Sequence, residues 1–197
     1  MFPFSGLIIN QAIGWSCAPA ELTIGLMMDL LRRITEGDNI IRKGKWNEIF
    51  GPFDYVGTEI SGKIIGILGM GRIGKTVAKK ASCLGMHVLY HNRKPITKTG
   101  KAKYVSLNEL FKKSDVISIH VPYSKNTHHM INSKLLNKMK KSSFLINTSR
   151  GKVVNQKDLL KALQLKKIQG AALDVFEDEP ISKSNDLVKI KNAVMVP

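Results

Sequence analysis

Three stretches of the chain place small or charged residues where a ligand could bind. Gly69, Gly71 and Gly74 form the pattern G-x-G-x-x-G within "GILGMGRIGKT". Charged residues follow two later apolar runs: Arg150 in "LINTSRGKVV", and then Asp174 and Glu179 in "GAALDVFEDEP". A glycine turn of this kind binds pyrophosphate, and charged side chains beyond strand ends hold the polar groups of a ligand.

The glycine pattern predicts a dinucleotide site because it follows an apolar strand and opens a helical segment. The first glycine allows a tight turn, the second lets the backbone approach a pyrophosphate, and the third lets helix and strand pack closely. The helix that begins here offers free N–H groups and the positive end of its dipole to the phosphates. The alternative is a glycine-rich turn that binds nothing.

The residues "YHNRKP" decide which dinucleotide is expected. A carboxylate usually ends the second strand of such a fold and accepts hydrogen bonds from the adenosine ribose. Asn92 stands at that position, and Arg93 and Lys94 follow. Asparagine does not repel a 2′-phosphate, and arginine can bind one with its planar fork. The pattern therefore favours NADP(H), with NAD(H) as the second choice, unless the two cations are ordinary surface charges.

The elements that must position these residues alternate regularly from residue 62 onward. Short apolar runs such as "KIIGILG", "DVISIHV" and "SFLINT" alternate with amphipathic segments such as "RIGKTVAKKASCLG" and "NQKDLLKALQLKK". Strands that read as continuous apolar runs are typical of a parallel sheet covered on both faces. The predicted fold is α/β, a Rossmann-type doubly wound parallel sheet, in which ligands bind beyond the carboxyl ends of the strands.

The first 61 residues lack this alternation. "APAELTIGLMMDLLRRITEG" has the apolar spacing of a helix, which Gly37 could either end or interrupt. "GKWNEIFGPFDYVGTEISG" is rich in glycine and aromatic residues and has no clear period, so we expect an arm or loop. Residues 1–61 are therefore predicted to form a leading helix and an arm, and residues 62–197 the dinucleotide-binding domain.

Taken together, these stretches resemble the D-2-hydroxyacid dehydrogenase family, specifically its cofactor domain. The resemblance is carried by "AELTIGLMMDLLRRI", by "GKIIGILGMGRIGKTVAKKASCLGMHVLYHNR", by "LINTSRGKVVNQKDLLKAL" and by "AALDVFEDEP". The segment "YHNR" and the strand end that carries the arginine are most similar to the glyoxylate/hydroxypyruvate reductase branch. The family transfers a hydride between a nicotinamide ring and C2 of a 2-oxo or 2-hydroxy acid.

The resemblance implies a role for each matching residue. Arg150 matches the arginine that binds the substrate carboxylate and carbonyl, and Glu179 matches the glutamate that pairs with the catalytic histidine. Asp174 matches the aspartate that holds the nicotinamide amide. The remaining matches are the diphosphate-binding positions Arg72 and Ile73 and the positions that line the cofactor cleft, Pro122, Thr127 and Thr148. Taken singly, Arg150 could instead bridge loops, and the acidic run around Glu179 could be a solvated face.

The catalytic histidine of the family is not found at a matching position. We expect His91 at the adenosine end, His120 in a packed or hydrogen-bonded place, and His128 and His129 exposed before a helix. The resemblance places the histidine directly after Pro197 and a substrate domain before residue 12, so the chain is expected to be a fragment that lacks both and is inactive alone. It also implies a homodimer formed through the arm.

Composition restricts the remaining classes. The formal net charge is +16, but most of the 31 basic residues are lysines spread over many segments, so no nucleic-acid partner is expected. No apolar run approaches a membrane span, two cysteines make no disulfide framework, and a cytoplasmic protein without a metal site is expected. The alternatives are a dehydrogenase of phosphoglycerate or D-lactate, or a cofactor-sensing module of the co-repressor kind.

Overall fold

The computed structural model describes residues 17–48, 51, 55–97 and 99–197. Residues 1–16 of the predicted leading region, and residues 49–50 and 52–54 of the predicted arm, lie outside these ranges. Within the arm, Trp46–Glu48 form a single 3₁₀ turn. The division of the chain at residue 61 stays a prediction.

The leading helix is broken at Arg33, and Gly37 neither ends nor interrupts it. Helix α1 covers Cys17–Arg32 and helix α2 covers Ile34–Arg42. Arg33 adopts a left-handed conformation with φ of 57°, which turns the chain between the two helices. Gly37 lies inside α2, where a side chain would collide with Tyr55, so its small size serves packing and not termination.

From residue 64 onward, strands and helices alternate as predicted. The helices are α3 (Arg72–Cys83), α4 (Leu107–Lys113), α5 (Ser133–Leu136) and α6 (Gln156–Gln164). The strands are β1 (Ile64–Leu68), β2 (His87–His91), β3 (Lys103–Tyr104), β4 (Val116–Ile119), β5 (Phe144–Asn147), β6 (Gly170–Leu173) and β7 (Ala193–Met195). The edge strand β3 was not predicted because its two residues are exposed and form no apolar run.

Local sequence signals explain where several helices begin. Ser106 and Glu109 form a capping box at the start of α4, and Asn155 caps α6 by accepting the N–H of Asp158. Helix α5 has only four residues, Ser133–Leu136. After Leu136 the backbone tightens into turns, with the N–H of Met139 donated to the carbonyl of Leu136.

The seven strands form one parallel sheet in the order β3-β2-β1-β4-β5-β6-β7. Consecutive strands are added first on one side of β1 and then on the other, so the order reverses between β1 and β4. The Rossmann-type doubly wound prediction is confirmed. In such sheets the crevice at the reversal, beyond the carboxyl ends of the strands, is the usual ligand site.

Two apolar clusters cover the two faces of the sheet. One is built mainly from α4, α5 and α6, with Phe111 and Leu145 fully buried. The other joins α1 and α3 to the opposite face, with Met27 and Ile65 fully buried. The central strands β1, β4, β5 and β6 are therefore buried on both faces, as their continuous apolar sequences indicated.

Candidate functional site

The strand register brings the predicted site residues to one edge of the sheet. Leu68 at the end of β1 pairs with His91 of β2 and with Ile119 of β4. Ile119 pairs with Asn147 of β5, which in turn pairs with Leu173 of β6. The five loops that carry predicted site residues therefore start level with one another.

Steric contacts require two of the three motif glycines. Gly69 has φ of +99°, and a Cβ there would lie 2.7 Å from the carbonyl carbon of His120 in the loop after β4. A Cβ on Gly74 would lie 2.2 Å from the carbonyl oxygen of Gly69, so α3 could not pack against the turn. These two glycines are needed to build the turn.

Gly71 has a different surrounding, because a Cβ there would have no heavy atom within 4 Å. Space is therefore left open directly above the residue that precedes α3. Arg72 and Ile73 open that helix, and their backbone N–H groups belong to its first turn. Open space beside a helix N-terminus fits the pyrophosphate of a dinucleotide.

Asn92 connects the adenosine side of the site to the glycine turn. Its Oδ1 accepts the N–H of Met70 at 2.7 Å, and the N–H of Gly69 donates to the carbonyl of His91 at 3.0 Å. The sequence predicted only that Asn92 lacks the negative charge of the usual carboxylate. It did not reveal that the Asn92 side chain braces the glycine turn through a hydrogen bond to Met70. The side chain of Arg93 is exposed beside it and available to a ligand.

The loop after β4 holds Pro122 and Thr127, which were predicted to line the cofactor cleft. Thr127 uses its hydroxyl within the loop: Oγ1 donates to the carbonyl of Pro122 at 2.8 Å and accepts the N–H of Ser124 at 2.7 Å. Thr127 therefore shapes the loop, and Pro122 is exposed on it.

The three histidines that follow β4 have different surroundings. His120 is hydrogen-bonded through Nε2 to Ser118 at 2.8 Å, and burial lowers the pKa of His120 to about 4. His128 is exposed as expected. The expectation that His129 is exposed was wrong, because its Nε2 lies 2.9 Å from Oε1 of Glu177 and the ring is only about one-third exposed. A partner from a distant loop, which the sequence does not reveal, draws the ring inward.

Buried Asn147 shapes the loop after β5. Its Nδ2 donates to the carbonyl of Arg150 at 3.1 Å, and its Oδ1 accepts the N–H of Ser149 at 3.1 Å. This turn leaves the guanidinium of Arg150 exposed, with one N–H donated to the carbonyl of Ser149 at 2.6 Å. Thr148 lies 2.8 Å from Thr23 of α1, hydroxyl to hydroxyl, which ties the leading helix to the site.

Gly151 is the site residue that sequence reasoning overlooked. A Cβ on Gly151 would lie 1.7 Å from the carbonyl oxygen of Phe176, in the loop after β6. Only glycine allows the loop of Arg150 and the loop of Glu179 to touch backbone to backbone. The signal was present in the sequence, as a glycine directly after the arginine, but the contact partner lies 25 residues away.

The loop after β6 carries the predicted acidic residues. Burial, and then the negative charge of Glu179, raise the pKa of Asp174 above its usual value. Oε1 of Glu179 accepts the N–H of Phe176 at 2.9 Å, and the rest of this side chain is exposed. The acidic run is not uniformly solvated, since Glu177 is half-buried and accepts the N–H of Gln156 at 2.7 Å.

Several other features limit what the site could be. Among residues 17–48, 51, 55–97 and 99–197, no three His, Cys, Asp or Glu side chains are grouped so as to hold a metal ion. Cys17 and Cys83 are both free thiols. None of the helices that the structure describes combines the length and apolar character needed to cross a membrane.

Comparison with known proteins agrees with this geometry. Residues 24–197 match the family model described as "D-isomer specific 2-hydroxyacid dehydrogenase, NAD binding domain". A glyoxylate reductase of Thermofilum pendens is 45% identical over 184 residues, which are 91% of this chain and 54% of that protein. The chain thus spans about half the length of the curated relatives it matches.

Two solved structures show the range of cofactors among similar proteins. An acyclic imino acid reductase in complex with NADPH and D-Arg has a TM-score of 0.82 and 34% identity, over 91% of this chain and 56% of that one. The D-lactate dehydrogenase of Aquifex aeolicus, complexed with NAD and lactic acid, has a TM-score of 0.83 and 34% identity, over 92% and 59%.

Proposed function

Because the chain belongs to the D-isomer-specific 2-hydroxyacid dehydrogenase family, we propose that it supplies the cofactor half of an NADPH-dependent reductase of a small 2-oxo acid. Glyoxylate and hydroxypyruvate are the proposed substrates, supported by similarity to a glyoxylate reductase. One observation carries the proposal: the open turn at Gly71 and the loops of Arg150 and Glu179 share one edge of the sheet.

Each charged residue has a task in this proposal. Exposed Arg150 binds the carboxylate of the 2-oxo acid and orients the neighbouring carbonyl, since its fork matches two oxygens. Asp174 accepts a hydrogen bond from the nicotinamide amide, and Glu179 supports an imidazolium that donates the proton. When bound, the reduced nicotinamide supplies the hydride.

The preference for NADPH rests on the two ends of the Asn92 amide. The N–H of Met70 occupies Oδ1, so Nδ2 is the end left for a ligand. That end only donates hydrogen bonds, and it therefore suits a phosphate better than it suits a donating hydroxyl. Exposed Arg93 adds a charge-assisted contact beside it.

Nucleotide titration of the 197-residue chain tests this assignment. We expect a dissociation constant for NADPH about tenfold lower than for NADH, as one charge-assisted contact provides. Asn92→Asp keeps an acceptor for the N–H of Met70 but places a carboxylate toward the ribose, so the preference should reverse. Arg93→Ala should weaken NADPH binding alone. The matched control is Lys101→Ala, another exposed basic residue. Equal affinity for the two nucleotides in wild type and Arg93→Ala would exclude the NADPH assignment.

We also propose that two copies of the chain associate through α2 and the arm. None of the α2 residues is buried, and four large apolar side chains are more than half exposed here: Ile34, Ile41, Trp46 and Val56. Large apolar side chains that are exposed on neighbouring segments support an interface there. Sedimentation equilibrium should show a dimer that dissociates in the double variant Ile41→Asp, Trp46→Asp. Leu165→Asp, which changes an equally exposed residue elsewhere, should leave the dimer intact. A wild-type monomer at micromolar concentration would refute the interface.

A further inference from the structure

One group of polar side chains joins the loops after β4 and β6 to the start of α6. Oε1 of Glu177 accepts the N–H of Gln156 at 2.7 Å and lies 2.9 Å from Nε2 of His129. In return, Oε1 of Gln156 accepts the N–H of Glu177 at 3.3 Å. We refer to these three residues as the loop latch: His129 and Glu177 lie in the loops after β4 and β6, and Gln156 is the first residue of α6.

His129 is held in place by its own backbone as well as by Glu177. Its N–H donates to the carbonyl of Lys152 at 2.9 Å, and its φ of 47° lies in the left-handed region, where histidine is enriched over most residues. The side chains of His129 and Glu177 are 32% and 23% exposed, so water screens this contact less than it screens a surface ion pair.

The two glutamates of "FEDEP" have separate surroundings. Glu177 turns back toward α6 and His129, whereas Oε1 of Glu179 accepts the N–H of Phe176 at 2.9 Å. Phe176 is also the residue whose backbone packs against Gly151, next to Arg150. The backbone at residues 176–177, which Glu177 helps to fix, therefore binds the side chain of Glu179 and packs beside Arg150, the two residues proposed for catalysis.

We propose that His129, Gln156 and Glu177 are positioning residues that set the placement of Glu179 and Arg150. That this placement matters for catalysis rests on the proposed function. That the latch determines the positions of Glu179 and Arg150 does not depend on it. Glu177 acts through two neighbours: the N–H of Phe176, which binds Glu179, and the Gly151 contact, which keeps the Arg150 loop against the same backbone. The competing view is that the latch stabilises only the start of α6.

Amide hydrogen exchange on the 197-residue chain separates the two views. The amide of Phe176 reports the position of Glu179, and the amide of Val153, donated to the carbonyl of Arg150 at 3.2 Å, reports the Arg150 turn. In Glu177→Ala we expect both amides to exchange about tenfold faster than in the wild-type chain. Faster exchange limited to the amides of Gln156 and Glu177 would overturn the proposal.

Three further variants complete the design. Glu177→Gln keeps an acceptor for Gln156 and His129, so it should restore most of the protection at Phe176. His129→Ala leaves the bonds between Gln156 and Glu177 intact, and it carries the test if Glu177→Ala does not fold. Asp178→Asn, a change at the exposed neighbour, is the matched control and should alter neither amide.

The outcome also distinguishes this inference from the proposed function. If the wild-type chain binds neither NADPH nor NADH, the proposed function fails, but the exchange of the Phe176 amide still decides whether the latch positions Glu179. If NADPH binds, Glu177→Ala should weaken binding several-fold through the loop that carries Asp174, and Glu177→Gln should bind as wild type does. If the Phe176 amide exchanges as rapidly in Glu177→Gln as in Glu177→Ala, the hydrogen bonds of Glu177 do not position this segment and the latch is refuted.

Discussion

The glycine turn after β1 and the loop pair after β5 and β6 both serve one ligand edge, but they are held by different means. In the turn, Gly74 meets the backbone of Gly69 inside the motif, Gly69 has φ of +99° and also meets the backbone of His120, and Asn92 adds one brace. The loop pair is held by contacts between distant segments, namely Gly151 with Phe176 and Glu177 with His129.

This difference teaches what each region can tolerate. The turn encloses open space at Gly71, so its ligand contacts can change while its frame is kept. In the loop pair the residues proposed for chemistry lie one or two positions from the residues that hold the loops, so frame and function are harder to separate. Substitutions at Gly71 in the turn should therefore change binding with little change in stability, whereas substitutions in the loop pair should change both.

The largest expected effect comes from comparing Gly151→Ala with Gly71→Ala. A Cβ on Gly151 would overlap the carbonyl of Phe176, so the backbone must shift, at a cost of about 3 kcal/mol of unfolding free energy. A Cβ on Gly71 meets nothing, so its cost should stay at about 1 kcal/mol or below, while NADPH binding is lost. Urea unfolding and nucleotide titration measure both. Equal stability of the two variants would show that the regions are not held differently.

A second prediction uses pH to probe the base of the glycine turn. His120 touches that turn through Gly69, and burial lowers its pKa to about 4 from an ordinary value of 6.5. Between these values the unfolded chain binds the proton and the folded chain does not, so stability falls as the pH falls from 6.5 toward 4. From pH 7 to 5 the loss attributable to His120 should be up to about 2 kcal/mol.

Urea unfolding of wild type and His120→Gln at the two pH values isolates this loss, because any change in packing cancels in the difference. The variant should lose up to about 2 kcal/mol less than wild type on acidification. The control His87→Gln changes an exposed histidine at the start of β2 and keeps the His120 imidazole. An identical pH dependence in wild type and His120→Gln would contradict the assignment.

The same contrast explains how far the sequence could be interpreted. The alternation of apolar strands and helices and the glycine turn follow from short-range patterns, and the structure confirms the doubly wound parallel sheet. Gly151 and the link from His129 to Glu177 did not follow, because each depends on a partner that only the folded topology brings near. The break at Arg33 was missed for a related reason: the left-handed turn is fixed by contacts with Tyr55 and not by a glycine.

The smallest expected effect concerns Asp174, whose partly buried carboxylate lowers the stability of the loop pair. Burial and the charge of Glu179 raise its pKa, so the ionised carboxyl opposes folding near neutral pH. Asp174→Asn should therefore raise the melting temperature at pH 7 by about 1 °C, since a partly solvated charge contributes little. The gain should vanish as the pH falls below the ordinary range of an aspartate, where wild type is protonated as well. NADPH binding should weaken in the same variant, and Asp178→Asn, a change of the same type at an exposed position, should show neither effect. If Asp174→Asn is less stable than wild type at pH 7, this carboxylate helps to hold the loop. The ligand-binding groups of the loop pair would then stabilise it, and the proposed contrast with the glycine turn would fail.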